Sequence, residues 1–165
     1  MTWRAAKVSL VWAAALYYTL IVFNNLTDYD ANFQFVRHVV VMDSTFPGNH
    51  GIWRALHSSA WSTIFYVSII AWEAVTMTLC WWGGLRLARA IRENAPSFRR
   101  AGGLAVAGLT LGMLLWLVAF LIVGGEWFLM WQSATWNGQE AALRMFAVTG
   151  IILLVVAERE PEEPL

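Results

Sequence analysis

Residues 124–139 read GGEWFLMWQSATWNGQ, and this stretch separates two apolar runs that are each able to cross a bilayer. The stretch combines three tryptophans with side chains that both donate and accept hydrogen bonds. Tryptophan is enriched where a membrane meets water. We therefore expect a structured loop at the outer membrane boundary, packed against a second polar segment at residues 24–57.

The composition of the chain decides its broad class. Of the 165 residues, 59% are hydrophobic and only 13% are charged, whereas a soluble domain averages about 25% charged residues. The composition therefore predicts a single membrane domain covering 1–165. The net charge of zero leaves no basic surface for nucleic acid. The single cysteine, Cys80, excludes a thiol–disulfide oxidoreductase that works with cysteine pairs.

The apolar runs predict an all-α bundle of four membrane-spanning helices with a structured outer cap. The first run ends without the small residues of a cleavage site, so we expect it to be retained as a helix. The predicted segments are spans at about 5–23, 58–85, 101–123 and 139–157, an outer cap formed by 24–57 and 124–138, and a disordered tail at 158–165.

Small residues predict which helix faces pack closely. Ser9 and Ala13 form such a face on the first span, and Gly108 and Gly112 form a GxxxG pair on the third. Ala101 and Ala105 extend the glycine face, and the sequence predicts close contacts along both.

The basic residues predict the orientation of the bundle. Residues 86–100 contain five arginines against one acidic residue, Glu93, which is typical of a cytoplasmic loop. Four spans with this loop inside place both termini in the cytoplasm. The predicted inner side then carries eight basic residues and the outer side three, Arg37, Arg54 and Arg144.

The cap contains its own helical signals. Asp30 is a candidate N-cap for a short interfacial helix that runs to about Met42. Trp127 and Trp131 are one turn apart, which suits a second short helix in the interface. Two further residues at the start of the fourth span, Glu140 and Arg144, have the spacing of an ion pair on one helical face.

Four stretches resemble a family of bacterial predicted small integral membrane proteins of unknown function. The most specific is the motif GGEWF-x-MWQS-xx-WNGQ, which occupies residues 124–139. The others are NLTDY at 25–29, FVRHV at 35–39 and MDSTFP at 42–47. The resemblance covers nearly the whole chain. It implies a four-helix protein of the bacterial inner membrane, but neither a reaction nor a catalytic residue.

Glu73 is the residue that stands out within the spans, because an ionisable group near the bilayer centre suggests a function. Helical spacing puts it on one polar face, which should point into the bundle: Ser62, Tyr66, Glu73, Thr76, Cys80 and Gly84. The functional interpretation is a proton path or a bound cation. The structural interpretation, which we favour, is a protonated acid hydrogen-bonded to Tyr66, Thr76 or a neighbouring helix.

The three histidines, His38, His50 and His57, all fall in the first polar segment. His38 and Met42 lie one helical turn apart, and His57 sits at a helix entrance, so these three residues are low-probability ligands for copper or zinc. Loop histidines are more often hydrogen-bonding surface groups. We therefore predict no cofactor and no metal, with haem, a quinone and a metal left open.

The remaining candidates form an outer polar and aromatic cluster. Its residues either bind a ligand such as a quinone headgroup or satisfy one another, and we favour the second interpretation because loop backbone near a membrane needs polar partners. The cluster comprises Asn25, Asp28, Arg37, His38, Asp43, Arg54, Glu126, Trp127, Trp131, Gln132 and Asn137.

These observations favour a non-enzymatic accessory or assembly subunit of a bacterial inner-membrane complex, for example a respiratory or photosynthetic one. Its partners are the lipid bilayer and other membrane subunits. The alternative is a small transporter or redox protein in which Glu73 and the cap bind a proton, quinone, lipid or metal.

Overall fold

The computed structural model describes residues 1–158 as an all-α protein. Six helices follow one another along the chain: α1 (Thr2–Thr27), α2 (Tyr29–Val41), α3 (Ser59–Arg89), α4 (Ala95–Ala101), α5 (Gly103–Leu114, continuing as a π-helix over Leu115–Trp127) and α6 (Gln139–Ala157). Short 3₁₀ turns cover Ile52–Arg54 and Met130–Gln132. Residues 159–165 lie outside the described residues, and with them most of the predicted tail.

Four helices are long and apolar enough to cross a membrane: Thr2–Thr27, Ser59–Arg89, Gly103–Trp127 and Gln139–Ala157. The prediction of an all-α, four-helix membrane protein is confirmed. The second of these helices has 31 residues and would be about 46 Å long if straight, which exceeds the hydrocarbon thickness.

The third crossing helix changes character halfway along its length. From Leu115 to Trp127 the backbone follows a π-helix, and the bond from Phe128 N to Val123 O closes its last wide turn. At the transition, Trp72 Nε1 of α3 donates a hydrogen bond to Leu111 O at 3.0 Å. π-Helical segments are rare and frequently accompany functional sites.

Small residues set the packing of α5 against α3 and α1. A side chain at Gly83 would fall on the backbone of Ala105, one at Gly108 would meet Cys80, and one at Gly112 would meet Tyr18. The predicted close-packing face of the third span is therefore confirmed for Gly108, Gly112 and Ala105.

The predicted small-residue face of the first span is not packed inside the bundle, so close packing along it stays a prediction. Ser9 and Ala13 are exposed, and the buried face of α1 is formed mainly by larger residues such as Val8, Val11 and Tyr18. The polarity of the residues does not distinguish the buried face of α1 from its exposed face, because both faces of a membrane helix are apolar.

One end of the bundle gathers the start of α1, the end of α6 and the arginine-rich loop. Arg4 of α1 donates to the carbonyl of Ile91 at 3.1 Å, and Lys7 donates to the carbonyl of Val156 in α6 at 3.4 Å. The side chain of Lys7 is buried. The start of α1 and the end of α6 therefore lie beside the arginine-rich loop, and their cytoplasmic placement stays a prediction.

The other end carries α2, which begins directly after a break at Asp28. Val36, Val39 and Val40 of α2 are buried, and this helix packs against the first half of α3. The prediction that Asp30 caps this helix is wrong, since Asp28 occupies the cap position and makes no side-chain capping bond. Asp30 instead accepts a bond from Gln34 in the next turn, at 3.1 Å.

Candidate functional site

The interior of the bundle contains a carboxyl group held by an amide. Asn25 Nδ2, in the last turn of α1, donates a hydrogen bond to Glu73 Oε2 of α3 at 2.7 Å, and both side chains are buried. Tyr66 donates its hydroxyl to Asn25 O at 3.2 Å. Three buried polar side chains thus join α1 to α3 around Glu73.

The rest of the polar face of α3 is buried as well, and two of its hydroxyls have no partner. Each of Ser62, Tyr66, Glu73, Thr76, Cys80 and Gly84 is buried. Ser62 Oγ and Thr76 Oγ1 make no hydrogen bond within the described chain. The expected bonds from Glu73 to Tyr66 or Thr76 are absent among these residues, because the neighbouring helix supplies the partner.

A second interior cluster was not predicted. Tyr18 of α1 is fully buried and accepts a hydrogen bond from Trp116 Nε1 at 3.1 Å. It occupies the space that Gly112 leaves by lacking a side chain. The sequence signal that could have revealed this contact is a tyrosine in the middle of one span together with a GxxxG pair on another span, because a glycine leaves room for a large side chain of a neighbouring helix.

The cap is held by direct contacts between its two segments. His38 stacks on Trp136 with ring centroids 4.5 Å apart, and its Nδ1 pairs with Asp43 at 2.7 Å. Ser44 donates to Ser133 at 2.8 Å, and the backbone N–H of Phe46 donates to the side chain of Gln132 at 3.2 Å. These bonds link residues that lie 86 and 89 positions apart in the chain.

Arg54 is the most connected cation of the cap. Its guanidinium lies over the rings of Trp53 and Trp127 at 5.4 and 5.2 Å, and it donates to the backbone carbonyls of Glu126 and Trp127. Its Nε is buried without an acceptor within the described residues. Arg54 therefore ties the 3₁₀ turn at Ile52–Arg54 to the end of the π-helix through Nη1 alone.

Other members of the predicted cluster do not join it. Arg37 bonds only to Gln34 of its own helix among the hydrogen bonds of the described chain, at 3.2 Å, and the side chain of Asn137 accepts from the nearby Gln139 N. Trp131, by contrast, does join the two segments, since it packs edge-on against Phe46 from a 3₁₀ turn. The predicted short helix carrying both Trp127 and Trp131 is wrong, since the chain turns between them.

The backbone of Leu129 explains that turn. Leu129 adopts a left-handed conformation with φ of 54°, which costs free energy for a residue with a side chain. Met42, at the end of α2, is also left-handed, with φ of 57°. Met42 is only 2% exposed. It lines a narrow cleft of the cap together with His38, and a metal bound by these two residues stays a prediction.

The predicted metal ligands and the predicted ion pair can be compared with the structure. Among residues 1–158, no group of three His, Cys, Asp or Glu side chains is arranged to hold a metal ion. His50 and His57 are exposed. Glu140 and Arg144 are also exposed and form no ion pair in the described chain, so that predicted pair is wrong.

An apolar groove lies beside the cap and has a volume of about 290 Å³. Its walls are α2, α3 and the π-helical half of α5. Sequence reasoning missed this groove, because its lining residues are ordinary lipid-compatible side chains that come from three helices.

The fold and these sites define a multi-pass α-helical membrane protein with a polar cap at one end, an arginine-rich loop at the other and two polar clusters in its interior. The family model "Predicted small integral membrane protein (DUF2165)" matches residues 3–159. The chain belongs to this family, which has no assigned function. Comparisons with curated proteins and with solved structures find no significant match.

Proposed function

We propose that this protein is a non-enzymatic accessory or assembly subunit that holds a partner helix of a larger complex in the bacterial inner membrane. The observation that carries the proposal is the outward face of α1. Ala5, Ser9 and Ala13 are all exposed and follow one another at steps of four residues. Such a face lets another membrane helix approach closely, because backbones meet where side chains are small.

The interior supports a structural role for the buried polar groups. Glu73 and Tyr66 both bond to Asn25, so the carboxyl group links two helices of the bundle. The cap residues likewise satisfy one another across the chain. The orientation we propose has both termini in the cytoplasm, which follows from the arginine-rich end of the bundle.

The test is a tagged pull-out of the full-length protein from native membranes in mild detergent, followed by mass spectrometry. We expect a membrane protein to co-purify in stoichiometric amount. The variant Ser9→Leu/Ala13→Leu should lose most of that partner and still elute as a folded protein. The matched control is Ala107→Leu, because Ala107 is also an exposed alanine on a crossing helix. Partner-free wild-type protein, or equal retention by both variants, would contradict the proposal.

A small transporter or redox protein using Glu73 remains the second candidate. Thr76, one turn from Glu73 on the same buried face, has a hydroxyl without a partner in the described chain. Unpartnered buried hydroxyls favour internal water, and water beside a carboxyl group supports proton movement. A partner-free protein in the pull-out would favour this second candidate.

A further inference from the structure

We propose that the apolar groove beside the cap binds one acyl chain of a phospholipid from the cap-side leaflet, with the lipid phosphate at Arg54. This inference is independent of the accessory-subunit proposal, since it rests on a different face of the molecule. It assigns the groove to a lipid that is held individually, unlike the lipids that surround every membrane protein.

The lining of the groove matches a hydrocarbon chain. Val36 and Val40 of α2, Ile64 of α3, and Val118 and Val123 of α5 are among the lining residues, and Ser68 contributes their only side-chain hydroxyl. An engineered apolar cavity of about 150 Å³ stays dry and binds benzene. A groove of about 290 Å³ with this lining therefore has room for a longer hydrocarbon and little affinity for water.

The length of the groove corresponds to one leaflet. On α3 the lining runs from Trp61 to Trp72, which is about 17 Å along a helix axis. Half of a hydrocarbon core is about 15 Å. The groove thus begins near the cap and reaches roughly the middle of the bilayer, where an acyl chain of one leaflet ends.

The inner end of the groove is closed, which argues against a partner helix as its occupant. Trp72 bridges α3 to Leu111 of α5 by its indole hydrogen bond. Beyond it the two helices meet so closely that Gly83 touches the backbone of Ala105. A membrane-crossing helix would have to continue through this contact, whereas an acyl chain stops before it.

The cap end of the groove offers a site for the phosphate. Arg54 donates to the carbonyl of Trp127, the residue directly before Phe128, which lines the groove. Both hydrogen bonds of its guanidinium in the described chain leave from Nη1, so the donors of Nη2 stay available to a further acceptor. Arginine presents several donors in a geometry that suits phosphate oxygens. The guanidinium and the apolar channel therefore match the two halves of a phospholipid.

The test uses the full-length protein in lipid nanodiscs containing a phospholipid with a diazirine at the end of one acyl chain. After photolysis, mass spectrometry of peptides should find the label concentrated on groove residues, in excess over the outward-facing Ile151 and Leu154. Ala119→Phe, which fills the groove, should reduce groove labelling about tenfold, a loss of about 1.4 kcal/mol in binding. Ala107→Phe adds the same ring to an exposed position of α5 and should leave it unchanged.

Folding is controlled by circular dichroism and gel filtration, and Ser68→Phe replaces Ala119→Phe if the latter fails to fold. Lipid retention by native mass spectrometry tests the phosphate site, with Arg54→Gln expected to lower it about fivefold and Arg37→Gln, on the exposed side of α2, not at all. Even labelling of groove and outward residues would overturn the proposal. A quinone, a second copy or another protein found in the groove would overturn it too, and full lipid retention by Arg54→Gln would refute the phosphate site.

Discussion

Asn25 is the residue on which the interior depends most directly. The substitution Asn25→Ala removes the amide that donates a hydrogen bond to Glu73, so the buried carboxyl group loses this donor. We expect the free energy of unfolding to fall by about 1–2 kcal/mol, since hydrogen bonds between membrane helices contribute modestly and unsatisfied buried groups cost more. Denaturation in detergent micelles followed by circular dichroism measures this change.

Two variants sharpen the measurement. Asn24→Ala changes the exposed neighbouring asparagine and should alter stability by less than about 0.5 kcal/mol. Glu73→Gln retains an oxygen that accepts from Asn25, so it should fold with nearly the stability of the wild type. Equal losses in Asn24→Ala and Asn25→Ala would show that the Asn25–Glu73 bond contributes nothing specific.

The sequence identified Glu73 as a notable residue, but it did not identify Asn25 as the partner of Glu73. A carboxyl group inside an apolar run is conspicuous in any sequence, because its transfer into hydrocarbon is costly. Asn25 follows the first apolar run and resembles an ordinary loop residue. Only the continuation of α1 to Thr27, and its packing against α3, bring the amide to the acid.

At the scale of the helices, the contact between α3 and α5 is set by Gly83. A methyl group there would fall on the backbone of Ala105, with its Cα at 2.6 Å, and backbone cannot move aside as a flexible side chain can. We expect Gly83→Ala to reduce the free energy of unfolding by about 1–3 kcal/mol, the usual cost of overpacking. Thermal and denaturant unfolding in micelles measure it.

Gly103 is the matched control for this substitution. It lies at the start of α5, and a side chain at this position would meet no atom within 4 Å. Gly103→Ala should be neutral or stabilise the protein by up to about 1 kcal/mol, because alanine favours a helix. If Gly83→Ala and Gly103→Ala have the same free energy of unfolding, the close contact between α3 and α5 at Gly83 does not contribute to stability.

The helices also show where pattern reasoning stops. The glycine spacing of α5 predicted a close-packed face correctly, because glycine is costly in a helix unless packing requires it. Ser9 and Ala13 have the same spacing and yet point outward. The π-helical half of α5 has no local signal either, since its residues are ordinary helix formers.

For the whole molecule, the orientation in the membrane is open to a direct test. Starting from a Cys80→Ser protein, cysteines are introduced one at a time at Pro47 in the cap and at Glu93 in the arginine-rich loop, both exposed. We expect a membrane-impermeant maleimide to label Pro47→Cys in intact cells and Glu93→Cys only after lysis, because basic loops remain in the cytoplasm. The reverse pattern would invert the bundle.

The sequence by itself determined the class, the number of crossing helices and the gathering of positive charge at one end. These properties follow from local composition, since a bilayer forces every apolar run of about 20 residues to satisfy its backbone as a helix. Tertiary structure alone decided which face of α1 is buried, that Asn25 meets Glu73, and that three helices leave a groove beside the cap. In a membrane the helix surfaces are apolar all round, so polarity does not reveal the buried side, and the shapes of side chains distant in sequence decide it.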